Sequence, residues 1–95
     1  MALILTNHAA ERWKERVTSK RRGLISNSKK VEKLLANGRV VSCSPRSDSK
    51  GKQGFKQIIW IFFPGGDKMK LCIITDIKMR IIITLWPLTD LINQY

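Results

Sequence analysis

The sequence predicts a single α+β domain, residues 1–95, in which two N-terminal helices pack on a four-stranded antiparallel β-sheet. Two observations predict this class. Apolar residues recur at helical spacing as far as Gly38, whereas the chain beyond Gly38 contains runs rich in β-branched and aromatic side chains. A chain of 95 residues with 43% apolar content is also long enough to bury one modest core.

The first helix is predicted to follow Leu3-Ile4-Leu5, a short apolar segment that is either an edge strand or a hydrophobic staple. Thr6 or Asn7 can cap this helix by accepting a hydrogen bond from a free backbone N–H group. Four apolar residues then share one face, and the basic segment Lys20–Gly23 ends the helix. These apolar residues are Ala9, Ala10, Trp13 and Val17.

A second helix is predicted after Ser26-Asn27-Ser28, which offers another N-cap. Its apolar face consists of Val31, Leu34 and Leu35. The pair Asn37-Gly38 provides the stop, because glycine and asparagine tolerate the backbone conformation that commonly ends a helix.

The second half of the chain predicts strands separated by turns. Proline and glycine in Pro64–Asp67 indicate a hairpin, Asp76–Met79 is a further turn, and the polar segment Pro45–Gly54 is an exposed loop. Thr89–Tyr95 is predicted as a short helical tail. The four predicted strands are Arg39–Ser44, Phe55–Phe63, Lys68–Thr75 and Arg80–Trp86.

The charge of the chain predicts a polyanionic partner. Lys and Arg number 18 against 7 Asp and Glu, which gives a net charge of +11. Such an excess is typical of proteins that bind nucleic acid, with an acidic protein or an anionic membrane as alternatives. No apolar run approaches the ~20 residues that span a bilayer, so no membrane segment is expected.

Two cysteines and the absence of a secretory signal favour free thiols in a reducing, cytoplasmic setting. Cys43, Cys72 and His8 lack the spacing and the fourth ligand of a zinc site, so no metal is predicted. Phosphate-binding and dinucleotide fingerprints are missing too, and no cofactor is predicted.

The candidate catalytic residues begin with the only histidine. His8, Arg12 and Arg16 are spaced four residues apart and therefore lie on one side of a helix, about 100° from the Ala9/Trp13/Val17 face. Imidazole can take a proton from a ribose 2′-OH or give one to a leaving 5′-oxygen. Guanidinium groups can hold the phosphate between them and stabilise its developing charge.

Each of these residues also has a purely structural interpretation. His8 can be a capping or surface residue, the arginines can pair with nearby acids, and Thr84 can simply be a β-branched strand residue. Aromatic side chains at Trp60 and Phe62, or at Phe55 and Phe63, can stack bases or belong to the core. Candidate phosphate contacts, with a solvated face as the alternative, are Lys14, Lys20, Arg21, Arg22, Lys29 and Lys30.

The pattern Thr6-x-His8-Ala9-x-x-Arg12-x-x-x-Arg16, followed late in the chain by Ile82-Ile83-Thr84-Leu85, resembles a group of small prokaryotic and phage proteins. This group belongs to the barnase–EndoU–colicin–RelE (BECR) superfamily, and the chain is similar to its BrnT- and RelE-type toxins. The resemblance implies a helix-then-antiparallel-sheet fold. It also implies a metal-independent endoribonuclease with His8, Arg12, Arg16 and Thr84 at its site. In the sequence itself, the functional interpretation of Thr84 is that its hydroxyl faces the helix and hydrogen-bonds a phosphate or orients His8.

The resulting functional hypothesis is a toxin-type RNase that cleaves RNA, free or bound to the ribosome, by attack of the 2′-OH. A toxin of this kind implies an acidic antitoxin as a partner. The alternative is a non-catalytic basic regulator of phage or plasmid origin that occupies nucleic acid or a host protein. The alternative predicts salt-sensitive binding without cleavage.

Overall fold

A computed structural model describes residues 3–17 and 27–89 together with the backbone of residues 92–93. The two predicted helices are present as α1 (Asn7–Arg16) and α2 (Ser28–Ala36). The strands are β1 (Ile4–Leu5), β2 (Arg39–Ser47), β3 (Gln53–Phe62), β4 (Asp67–Asp76), β5 (Ile81–Pro87) and β6 (Ile92–Asn93).

The strands form one sheet in the order β1-β5-β4-β3-β2, and β6 pairs with the beginning of β4. The four long strands make the predicted antiparallel meander. The prediction of a purely antiparallel four-stranded sheet is corrected, because β1 pairs in parallel with β5. This pairing makes the sheet mixed, and it confirms Leu3–Leu5 as the site of an edge strand.

Side-chain caps start both helices. The Thr6 hydroxyl accepts a hydrogen bond from the backbone N–H of Ala9 at 3.1 Å, and the Asn27 side chain accepts from the first-turn amides of α2. These caps satisfy amides that have no partner within the helix. The basic segment Lys20–Gly23, predicted to end the first helix, lies outside the described residues.

Both helices bury their apolar faces on the same side of the sheet. Trp13 is 1% exposed and lies 6.2 Å from the Phe63 ring, centroid to centroid. The predicted apolar faces are confirmed for the most buried positions, since Ala9, Val17, Val31 and Leu35 are also buried. The sheet contributes Ile59, Ile61, Met69, Leu71, Ile73, Ile82 and Leu85 to this cluster, and Phe63 joins it from just after β3.

Two other expectations about the strands are corrected. The predicted loop Pro45–Gly54 is shorter, because β2 continues to Ser47 and β3 begins at Gln53. Proline is tolerated at position 45 because β2 is an edge strand and needs hydrogen bonds on one side only. The prediction of a helical tail over Thr89–Tyr95 is also wrong in the part that the structure describes, since Ile92–Asn93 is a short strand.

The other side of the sheet carries no helix among the described residues, and we call it the helix-free face. The register of the strands defines this face. Cys72 and Ile74 of β4 alternate with core residues and so point away from the helix-packed cluster, and the residues paired with them lie on the same face. No described helix is both long enough and apolar enough to span a membrane.

Candidate functional site

The structure brings His8, Arg12 and Arg16 together on one side of α1, and we call this set the α1 stripe. Successive members are about 6 Å apart along the helix axis, given a rise of 1.5 Å per residue. His8 and Arg16 are exposed, whereas the Arg12 side chain is 36% exposed. The stripe can therefore meet a ligand from solvent without any change in the fold.

Arg12 forms an ion pair within its own helix. Its Nη1 atom lies 3.1 Å from Oε2 of Glu15, one turn further along. Exposed pairs of this kind contribute only ~0.2–1 kcal/mol. A phosphate that accepts two charge-assisted hydrogen bonds from the guanidinium can therefore replace the carboxylate.

The start of α1 is fixed to the edge of the sheet. The Thr6 hydroxyl donates to the backbone carbonyl of Ile82 at 2.9 Å, as well as capping the helix. The backbone N–H of Leu5 donates to Oε2 of Glu32 at 2.6 Å, which ties β1 to α2. With Trp13 buried beneath the helix, these bonds determine which side of α1 faces solvent.

Thr84 lies on the helix-free face, apart from the α1 stripe. In the register of β4 and β5, Thr84 is opposite Ile74, while the core residue Leu85 is opposite Ile73. Directly opposed residues in antiparallel strands share a face. The sheet therefore stands between the Thr84 hydroxyl and a helix that packs over Leu85.

The predicted phosphate contacts are exposed wherever the structure describes them. Lys14 lies on α1, and Lys29 and Lys30 lie in the first turn of α2. Their backbone amides point to the capping oxygen of Asn27. Lys20, Arg21 and Arg22 lie outside the described residues, so their predicted role stays a prediction.

A cleft of about 590 Å³ lies where the β4–β5 turn meets the β2–β3 loop. Arg46, Lys52 and Asp76 are among its polar lining residues, and Ile81 is among its apolar ones. The Asp76 carboxylate already accepts hydrogen bonds from the Ile81 and Arg80 amides, and these bonds lower its pKa. No three His, Cys, Asp or Glu side chains in the described part of the chain converge as a metal site would require.

The aromatic residues of β3 divide between the two faces of the sheet. Phe63, which follows β3, is 6% exposed and belongs to the core, whereas Phe62 is 43% exposed. Trp60 is half-buried, with Nζ of Lys68 and Nζ of Lys70 at 4.9 Å and 5.1 Å from its ring centroid. Lys68 and Lys70 are two residues apart and therefore lie on one side of β4, but sequence reasoning did not connect them with Trp60. Counting back from the hairpin would have found this, because a tight turn determines which residues are opposite.

Comparisons of the chain with protein-family models, with curated proteins and with solved structures find no match in any of the three. The function of this chain is therefore inferred from its own residues.

Proposed function

We propose that this protein binds RNA through an extended cationic surface. The observation that carries the proposal is the net charge of +11 combined with the exposure of the cations. Phosphate contacts supply most of the affinity of proteins that bind nucleic acid without sequence preference. The exposed cations among the described residues are Lys14, Arg16, Lys29, Lys30, Lys33, Arg39, Arg46, Lys50, Lys52, Lys56, Lys78 and Arg80.

Fluorescence anisotropy with labelled RNA, measured over a series of salt concentrations, tests this proposal. Affinity should fall linearly with salt on logarithmic axes, with a slope of about −0.7 per phosphate contacted on a single strand. Replacing Lys29 and Lys30 together by glutamine should reduce the slope. A slope near zero would contradict RNA binding, and heparin competition without any preference for RNA would favour an acidic protein partner.

Metal-independent RNA cleavage is the second candidate, and the α1 stripe is the observation that favours it. In this mechanism Arg12 and Arg16 hold the scissile phosphate. Neutral His8 takes the proton of the 2′-OH, the 2′-oxygen attacks phosphorus, and the bond from phosphorus to the 5′-oxygen breaks. The leaving 5′-oxygen takes a proton from water and the His8 imidazolium returns its proton to solvent, which yields a cyclic phosphate and a 5′-hydroxyl. The proposal gives Thr84 no part in this chemistry, since the sheet lies between it and α1.

Incubation of RNA with the protein in EDTA tests the cleavage mechanism. His8→Ala should slow cleavage by about 10²–10⁴-fold, which is the usual contribution of a positioned acid–base group. Asn7→Ala, one residue earlier and also exposed, is the matched control and should cut like the wild type. Equal rates for His8→Ala and the wild type would remove the histidine from the mechanism.

The toxin assignment rests on the resemblance of the Thr6–Arg16 pattern to BECR toxins. An acidic antitoxin should then cover the α1 stripe and compete with RNA for it. A binding competition between RNA and the product of a neighbouring gene would test this, provided that this product is acidic. Failure of such a protein to displace RNA would leave the non-catalytic regulator as the better description.

A further inference from the structure

We propose that the helix-free face binds single-stranded nucleic acid, with bases stacking on Trp60 and Phe62 and phosphates held by Lys68 and Lys70. The inference rests on the proposed RNA binding, and it specifies the place and the strandedness of the ligand. The ligand chemistry is a polyphosphate chain with accessible base faces, which both RNA and DNA single strands offer.

The register of β3 and β4 assembles this surface. Phe62 is opposite Lys68, and Trp60 is opposite Lys70 and, on its other side, Arg39 of β2. Directly opposed side chains in an antiparallel pair lie about 4.5–5.5 Å apart at Cβ. Each aromatic ring is therefore flanked by a cation that can reach a phosphate beside a stacked base.

The contact between Trp60 and its two lysines is weak enough for a base to replace. A cation over an aromatic ring is worth ~0.5–1 kcal/mol at an exposed site and up to ~2 kcal/mol when desolvated, whereas stacking a base on such a ring is worth ~1–3 kcal/mol. A base that displaces the ammonium groups of Lys68 and Lys70 also frees them to pair with phosphates. The ring and the two lysines therefore contribute more free energy in the complex, through stacking and phosphate pairing, than they contribute in the free protein through their mutual contact.

The spacing of the two rings favours an unpaired strand. Trp60 and Phe62 are two residues apart on β3, which separates their Cα atoms by about 6.8 Å. This is twice the ~3.4 Å between neighbouring bases of a stacked strand in B-DNA. Two consecutive bases can reach the two rings only if they part from each other, and a duplex prevents this.

Charge on the helix-free face is complementary to phosphate. The register places Lys56 two residues before Ile58 on the same face, and Arg46 opposite Gly54 at the beginning of β3. Asp76, the carboxylate at this end, accepts hydrogen bonds from backbone amides. The cations of the paired strand positions on this face are Arg39, Arg46, Lys56, Lys68 and Lys70.

The test measures affinity for labelled oligo-U RNA, oligo-T DNA and an RNA duplex of equal length, with the full chain at fixed low salt. Both single strands should bind more tightly than the duplex. Trp60→Leu and Phe62→Leu should each weaken single-strand binding by about 5–150-fold, the equivalent of ~1–3 kcal/mol. Fluorescence quenching by the single strand should be smaller in Trp60→Leu, where the remaining tryptophans are the buried Trp13 and Trp86, which is opposite Cys72 on the helix-free face.

Two controls separate the helix-free face from general effects. Phe55→Leu makes the same change on β3, but position 55 is opposite Thr75 on the helix-packed side, so binding should not change. Lys68→Gln combined with Lys70→Gln should lower the salt slope by about 1.4, at ~0.7 per phosphate contact. Phe62 is 43% exposed and outside the core, so Phe62→Leu keeps the test decisive even where Trp60→Leu fails to fold.

The outcomes distinguish this inference from the proposed function. Salt-dependent RNA binding that is unchanged in Phe62→Leu and in the double lysine variant, or a preference for the duplex, overturns the inference alone. No binding of any oligonucleotide at low salt overturns both. A preference for either single strand over the other supports the helix-free face and shows whether the 2′-hydroxyl is also read.

Discussion

Gly54 occupies a position in β3 that has no room for a side chain. It is buried between Arg46 of β2 and Asp76 of β4 in the register of the sheet. A Cβ atom built there overlaps the carbonyl oxygen of Thr75, well inside the 3.0 Å that real Cβ atoms keep, and lies 3.3 Å from the carbonyl carbon. The atoms it meets belong to backbone, so no flexible side chain can yield.

Gly54→Ala is therefore expected to force β3 and β4 apart at this end of the sheet. Overpacking of a tight site costs ~1–3 kcal/mol, and a ladder hydrogen bond lost with it costs a further ~0.5–1.5 kcal/mol. The sum, about 1.5–4.5 kcal/mol, is a large part of the ~5–15 kcal/mol that stabilises a typical domain. Urea unfolding followed by tryptophan fluorescence should show a lower midpoint with an unchanged slope.

Gly51→Ala is the matched control. Gly51 has a φ of +82°, but a Cβ atom there has nothing within 4 Å. Alanine at this position meets only the backbone penalty of the left-handed region, ~1–2 kcal/mol, which is partly offset by a stiffer unfolded chain. If the free energy of unfolding of Gly54→Ala lies within about 0.5 kcal/mol of the wild-type value, the close approach of the Gly54 backbone to Thr75 is refuted.

Three further predictions concern single side chains. Thr6→Val should lower the free energy of unfolding by ~1–2 kcal/mol and reduce helical circular dichroism, because the cap on the Ala9 amide is lost. The Asp76 carboxylate accepts hydrogen bonds from backbone amides, and these bonds lower its pKa. The ionised carboxylate therefore stabilises the fold at pH values above the ordinary carboxylate pKa of ~3.9. This contribution is lost as pH falls through the lower pKa of Asp76 in the folded state. Urea midpoints measured over an acidic pH series should therefore show a fall in the wild type that Asp76→Asn lacks. A thiol reagent should modify exposed Cys43 rapidly in the native protein. Cys72 should react only on unfolding, because it is buried and its burial raises the pKa of its thiol. Equal reaction rates for the two thiols would contradict this prediction.

Local chemistry made the helices and the central hairpin predictable. Thr6 and Asn27 are cap residues that precede apolar residues at helical spacing, and both act as N-caps in the structure. Pro64-Gly65-Gly66 separates two β-rich runs, and Gly65 has the positive φ that the turn needs. Such signals lie within a few residues of the feature that they specify.

The position of Thr84 was beyond such reasoning because a β-bulge reverses the alternation of β5. Ile82 is opposite Thr75 and Thr84 is opposite Ile74, so Ile83 is an extra residue in the strand. Regular alternation from the buried Ile82 would put Thr84 on the helix-packed side, beneath α1. The added residue places Leu85 there instead and turns Thr84 to the other face.

The parallel pairing of β1 was unpredictable for a different reason, since it depends on residues distant in the chain. Two residues, Ile4 and Leu5, are too short to show a strand pattern alone, and their partners are Ile81 and Ile82. Pro45 shows a related limit, because proline interrupts most strands but fits at a sheet edge that only the assembled topology defines.

The hydrogen bond from Thr6 to Ile82 joins residues 76 positions apart. During translation the amino-terminal segment emerges first and must wait for the ribosome to make β5 before it can dock. A helix of only ten residues is barely stable in water by itself. A nascent chain therefore cannot present His8, Arg12 and Arg16 as an ordered row until the late strand has been synthesised.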